Sequence, residues 1–314
     1  MIDFVGKRRW FFLISLVVIV PGLVAMIYST VTTGSPLRLS IDFTSGSLLE
    51  LRFEQVVPAS EVRDVYVDRG FLDTTVQSAD DGRTVFIRSK QLDQETKTAI
   101  VGELRERFGD AEELRYESVG PTVGREVTRA ATIAVTVAAA AILLFIVYSF
   151  RGVPNAVRYG ICAIAAMVHD VLVTTGMFSI MGLVAGWEVD ALFLTALLTV
   201  VGFSVQDTIV VFDRIRENIP KRRGEPYELV VNRSLLETLH RSLATQLNAM
   251  FVLVAILFFG GATMKQFVAT LLVGMISGTY SSLFSAVPLL VVWQTGEAEA
   301  WVRRIFGRPA HAAS

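Results

Sequence analysis

One carboxylate stands inside an apolar stretch long enough to cross a bilayer. Asp207 lies in the run from Thr199 to Asn218, which begins apolar and ends in Asp213, Arg214, Arg216 and Glu217. An ionised side chain at the centre of a bilayer costs about 2.5 kcal/mol or more, so such a group has a partner or a task. The chemistry open to it is ion pairing, or taking up and releasing a proton. Arg241 begins the next apolar run, with Thr245 and Asn248 following at i+4 and i+7 as one polar stripe. An Asp207–Arg241 pair would hold the acid ionised, and protonation would free the arginine, which is a two-state element. The same pair could equally be a static pin that fixes helix register. Spacing does not separate the two.

Asp170 falls near the middle of another apolar run, with His169 beside it. Adjacent helical residues point about 100° apart, so the two are not expected to face one ligand. Asp170 belongs either to a proton path or to an interhelical hydrogen bond, and His169 is expected to make an interhelical hydrogen bond. Arg214 follows Asp207 by seven residues, on the same face, and could compete with Arg241 for the carboxylate. Two membrane aspartates also raise an aspartyl protease, but the contexts His169-Asp170 and Gln206-Asp207 lack the Tyr-Asp and Gly-x-Gly-Asp settings of such dyads. No phosphate loop or nucleophile elbow occurs, so neither nucleotide hydrolysis nor another enzymatic activity is expected. Three histidines and a lone Cys162 leave no material for a disulfide or a metal cluster, and no cofactor is implied.

The elements that must position these groups are membrane helices. The chain has 314 residues, 52% of them hydrophobic, with a mean hydropathy of +0.52. A net charge of −1 gives no reason to expect a nucleic-acid partner. Six spans are read at 10–29, 130–149, 159–183, 190–212, 241–260 and 267–292. The first follows Lys7-Arg8-Arg9 and resembles a signal peptide, but it is long and lacks a small-x-small cleavage site, so it reads as an uncleaved span. Arg151 and Arg158, the basic run 214–233, and Arg303, Arg304 and Arg308 all fall on the side of the N-terminus when six spans are counted. The positive-inside rule makes that side cytosolic. Asp207 then lies roughly 7–8 Å inside the cytosolic end of the fourth span.

This gives a cytosolic N-terminus and first span (1–29), an extracytoplasmic domain with linkers (30–129), a bundle of five spans (130–292) with a cytosolic loop at 213–240, and a cytosolic tail (293–314). The basic loop, with Pro220 and Pro226, could touch anionic lipid, though it also serves as a plain topology signal. The outer segment reads as a strand over Leu39–Phe53 broken at Ser45-Gly46, a helix over Pro58–Gly70, strands over Thr74–Ser78 and Thr84–Ser89, a helix over Asp93–Phe108 and a strand over Glu113–Val119. That order is βαββαβ, the ferredoxin-like α+β arrangement. Small residues step by four at Gly274, Gly278 and Ser282, at Ser277, Ser281 and Ser285, and at Ala130, Ala134 and Ala138, a pattern that lets helices pack closely.

The run Gly202–Asn218 resembles the signature of SecF, of the SecD/SecF family within the RND superfamily. His169-Asp170-Val171, Val119-Gly120-Pro121 and Ile41–Gly46 fit as well, and the likeness covers nearly the whole chain. Two positions depart from the usual pattern: Gln206 where asparagine is commoner, and Ser45-Gly46 where Gly-Gly is usual. The resemblance implies a six-span, RND-type half that works with SecD beside the SecYEG channel in the bacterial cytoplasmic membrane. It implies that the proton gradient helps to draw a translocating preprotein outward. It also implies that Asp207 and Arg241 take part in proton transfer; Asp170, His169 and Arg214 stay candidates on the path from their positions alone. Two other readings are a stand-alone RND-type small-molecule exporter half, against which one half with a small outer domain argues, and a purely structural scaffold of the channel.

Overall fold

The computed structural model describes residues 3–79, 81–151 and 156–297. Ten α-helices and four strands are formed by these residues. Six helical segments are long and apolar enough to cross a membrane. They begin with α1 (Arg8–Thr33). After α2 (Ile41–Thr44), α3 (Ala59–Asp68) and α4 (Gln94–Phe108) come α5 (Pro121–Phe150), α6 (Ala156–Ala185), α7 (Ala191–Lys221) and α8 (Tyr227–Phe259). The sixth span is α9 (Ala262–Ser281), continued through a π-helical turn at Ser282–Ala286 into α10 (Val287–Gln294).

Between 26 and 33 residues make up each of the first five spans. About 20 residues cross the hydrocarbon, so each helix outruns it. This corrects the reading of 213–240 as a loop. Helix α7 runs on to Lys221 and α8 starts at Tyr227, leaving only 222–226 between them. Hydropathy marks where the apolar segment ends, whereas the helix continues wherever charged side chains find partners. Arg214 Nε donates to Glu237 at 2.6 Å, and Asn218 Nδ2 donates to Ser234 Oγ at 2.9 Å, joining the two helices beyond the apolar segment.

The chain divides into two compact units. The larger holds the helical spans apart from the first half of α5, and its core includes Tyr159, Phe212, Ile215, Leu283, Val287 and Leu290. Helices α1 and α6 cross at Gly22 and Gly176, where a Cβ on either glycine would meet the other's Cα at 2.6–2.8 Å. Of the small-residue rows, the one on α9 is packed: a Cβ at Gly274 would collide with the Val200 side chain, and one at Gly278 would lie 3.4 Å from Ser204 Cβ. On α5, Ala130 and Ala134 are exposed and Ala138 is half-buried, so that row is less closely packed than the one on α9.

The smaller unit comprises Leu39–Ala134 and Glu188–Ala191. Its sheet contains β1 (Gly46–Phe53), β2 (Thr75–Ser78), β3 (Thr84–Ser89) and β4 (Ala111–Val119), ordered β2-β3-β1-β4 and antiparallel throughout. Leu49, Leu51 and Phe53 alternate along β1 and, with Val85 and Ile87 of β3, bury one sheet face under α3 and α4. Asp93 caps α4 by accepting from Thr96 N at 2.7 Å.

The expected strand over Leu39–Phe53 is corrected in its first half. Ser40 caps the short helix α2, accepting from Asp42 N at 3.2 Å, and the strand begins only at Gly46. The turn between them uses Ser45 at φ 63°, ψ 165° and Gly46 at φ 126°. At Gly46 a Cβ would approach the Ser89 carbonyl oxygen to 2.5 Å. The tail beyond Glu297 lies outside the described residues.

Candidate functional site

Asp170 sits halfway along α6 and is completely buried. Three hydroxyls and an imidazole surround it. Ser204 of α7 and Ser281 of α9 donate to Oδ2 at 2.5 and 2.6 Å. Ser277 of α9 donates to Oδ1 at 2.6 Å, and His169 Nδ1 lies 3.0 Å from the same oxygen. The expectation that His169 and Asp170 face apart is thus corrected. Both turn toward α9, where Ser277 Oγ also lies 3.5 Å from His169 Nδ1. The 100° between adjacent residues applies to their Cβ directions, and two planar side chains bridge it by rotating about χ1 and χ2. The His169 ring stacks on Tyr280, centroids 6.0 Å apart, and its Nε2 is buried without a partner.

Asp207 is buried on α7 and receives a hydrogen bond from Gln246 Nε2 of α8 at 2.6 Å. Arg241, expected as its partner, is exposed, as are Thr245 and Asn248 of the same stripe. The physical reason lies in the winding of α8. Its buried positions Ser234, Thr238, Ser242 and Gln246 recur every four residues. Four residues turn about 400°, so this stripe rotates by about 40° per step. Arg241 stands about 100° away from Ser242, its neighbour on the stripe.

Arg214 does not compete for Asp207. It is bound to Glu237 and, at 3.0 Å, to Glu217. Asp213 pairs with Arg216, three residues on along α7, at 2.6 Å. Ser204, three residues before Asp207 on α7, turns to Asp170. Spacing did not single out Gln246, although an amide inside an apolar run is itself a signal for a buried polar contact. Ser277 and Ser281 were visible only as small residues that permit close packing, and the structure adds that their hydroxyls hold a carboxylate. Among the described residues no group of metal-ligand type is assembled.

Two unlike carboxylate sites therefore occupy the bundle. One is closed within the chain by neutral donors and an imidazole. The other meets a single neutral amide. Residues 100–296 match the family described as protein export membrane protein SecD/SecF, C-terminal, and residues 31–55 match the SecD/SecF GG motif. The chain belongs to the SecD/SecF family. A protein translocase subunit SecF from Anaerolinea thermophila is 49% identical over 316 residues, 99% of this chain and 100% of that protein. One from Thermobaculum terrenum is 46% identical, with 94% of each chain covered. The crystal structure of SecDF, a translocon-associated membrane protein from Thermus thermophilus, matches 94% of this chain with a TM-score of 0.78 and 32% identity. This chain spans 39% of that one. A structure of SecDF in a super-membrane-facing form matches with a TM-score of 0.64 and 31% identity. The chain thus has the extent of the SecF relatives and about two fifths of SecDF, and Ser45-Gly46 falls inside the segment matched to the family's GG motif.

Proposed function

We propose that this chain is a SecF-type accessory subunit of the Sec preprotein translocase, paired with SecD beside the SecYEG channel and driven by the proton gradient. The termini lie in the cytosol, and the sheet-bearing unit, with its ferredoxin-like strand order, lies outside the cytoplasmic membrane. The chain acts as an RND-type motor half rather than an enzyme.

The observation that carries this reading is the partner of Asp207. A carboxylate kept permanently ionised in a membrane wants a cation, whereas the amide of Gln246 serves either protonation state. Its NH2 donates to a carboxylate, and its oxygen, buried and without a partner, can accept from a protonated carboxyl. Arg241 is the second station. In the alternative arrangement of α7 and α8, or with SecD against the exposed Arg241–Asn248 stripe, it engages the ionised acid. Asp207 thus moves between an amide-bonded, proton-bearing state and an arginine-bonded, ionised one.

The test is export of a signal-bearing preprotein into vesicles holding this chain, SecD and the channel, with and without an imposed proton gradient. Asp207→Asn at equal abundance should abolish the gradient-driven component and leave ATP-driven export intact. A scaffold tolerates the isosteric amide, so unchanged gradient-driven export would overturn the motor reading.

A further inference from the structure

Asp170 Oδ1, Ser277 Oγ and His169 Nδ1 form a triangle with sides of 2.6, 3.5 and 3.0 Å. All three residues are at least nine-tenths buried. The fourth feature is His169 Nε2, buried, aimed away from the triangle and without a partner. Resting on the proton-coupled reading, we infer that Asp170 is a second proton-accepting site of this chain, loaded through His169 and latched by Ser277.

The triangle can reverse its hydrogen bonds without moving the backbone. With Asp170 ionised, both Nδ1–H of His169 and Oγ–H of Ser277 donate to Oδ1. A proton arriving at Nε2 lets the imidazole pass its Nδ1 proton to Oδ1, so the ring ends neutral, as the other tautomer. The new carboxyl O–H donates to Ser277 Oγ, and Ser277 turns its own proton to the vacated Nδ1. One proton enters: an N–H bond forms at Nε2, the Nδ1–H bond breaks and an O–H bond forms at Oδ1, so the net gain is one proton on Asp170. Oδ2 keeps Ser204 and Ser281 throughout, so the carboxyl plane is fixed in both states.

Few other ionisable groups face this site. Helix α1 has none between Trp10 and Ile27, the π turn and α10 have none, α9 brings Tyr280 against the imidazole, and α7 brings Ser204 with Asp207 one turn further on, bonded to α8. The nearest proton source for Oδ1 is therefore the imidazole.

The experiment uses the whole chain with SecD in vesicles, and two readouts. One is the infrared carbonyl band of a protonated carboxyl that appears on a downward pH jump. The other is gradient-driven export with its solvent isotope effect. Asp170→Asn should remove one such band, while Asp207→Asn leaves that band in place. Ser277→Ala, which keeps carboxylate and imidazole, should slow gradient-driven export about tenfold, the scale of losing one buried hydrogen bond to a charged group, and alter the isotope effect. His169→Gln, which holds a hydrogen bond but does not pass a proton between two nitrogens, should do the same. If every carboxyl band disappears with Asp207→Asn alone and Asp170→Asn exports normally under the gradient, this inference is overturned while the motor reading stands. If Asp207→Asn also exports normally under the gradient, the motor reading itself fails.

Discussion

Gln246 Nε2 lies 2.6 Å from Asp207 Oδ2, while the amide's own oxygen is buried without a partner. The amide is therefore the only neutral group seen to soften the burial of this acid among the described residues. Replacing it by leucine keeps the volume roughly constant and removes the donor. An unsatisfied buried polar group costs about 1–3 kcal/mol, more when charged. Gln246→Leu should unfold at lower denaturant concentration, with a stability loss of about that size, and should lose gradient-driven export. Unfolding followed in detergent micelles reads the first effect, and vesicle export the second. An unchanged midpoint would mean that the acid is already neutral or is solvated by another group.

The six spans were legible because hydrophobic length is a one-dimensional property, and Asp207 and Asp170 were legible because a carboxylate in such a run is anomalous on its own. Their partners were not. Which α8 side chain reaches Asp207 depends on how the contact stripe winds, a property of the packed pair that no window on one helix contains. The strand segments at Thr84–Ser89 and the second half of Leu39–Phe53 were readable as local pattern, and β3 and β1 form there, with β1 starting only at Gly46. The helix Ile41–Thr44 was missed because its four residues are too few to show a period, and Ile41 and Phe43 alternate with polar neighbours as a strand would. The charged end of α7 and the start of α8 were read as loop because polarity was taken for irregularity, whereas Arg214 and Asn218 of α7 both donate to Glu237 of α8 across the helix pair.

Helices α1 and α6 touch backbone to backbone at Gly22 and Gly176, where a methyl group would sit 2.6–2.8 Å from the facing Cα. Neither neighbour is a side chain that could swing away, so the helices must part. Overpacking of this kind costs about 1–3 kcal/mol. Gly176→Ala should lower thermal stability by that order, and Gly22→Ala likewise. The double variant should cost less than the sum, because the first methyl already separates the helices. A thermal-shift series on the three variants checks this, and strict additivity would count against a shared contact.

Ser45 occupies φ 63°, ψ 165°, a region that is essentially restricted to glycine. It is the one non-glycine residue with positive φ among those described. Residues held in such regions cost of order 1–3 kcal/mol. Ser45→Gly should relieve part of this strain, offset by the greater freedom of glycine in the unfolded chain. A net gain of about 1 kcal/mol is expected, read as slower hydrogen exchange in β1. Ser45→Val should move exchange the other way, since a β-branched residue tolerates this conformation least.

The smaller unit should weaken in acid through its capping carboxylates. The Asp93 carboxyl is held below its ordinary value, first by the backbone N–H of Thr96 and then by the Thr96 side chain. Asp81 is held down first by the backbone N–H of Thr84, at 2.9 Å. A carboxyl whose folded value is depressed adds stability that is fully present above its unfolded value, about 3.9, and that is lost as pH falls through the folded value. The loss therefore belongs below about pH 4 and leaves neutral pH untouched. Hydrogen exchange of α4, corrected for its intrinsic pH dependence, should show protection falling in that window. Asp93→Asn separates capping from titration, because asparagine caps a helix about as well as aspartate but carries no proton in this range. Its α4 should be as protected as wild type at pH 7 and should keep more of that protection at low pH. Equal acid sensitivity in wild type and Asp93→Asn would assign the loss to other carboxyls, with Asp81→Asn the next variant to measure.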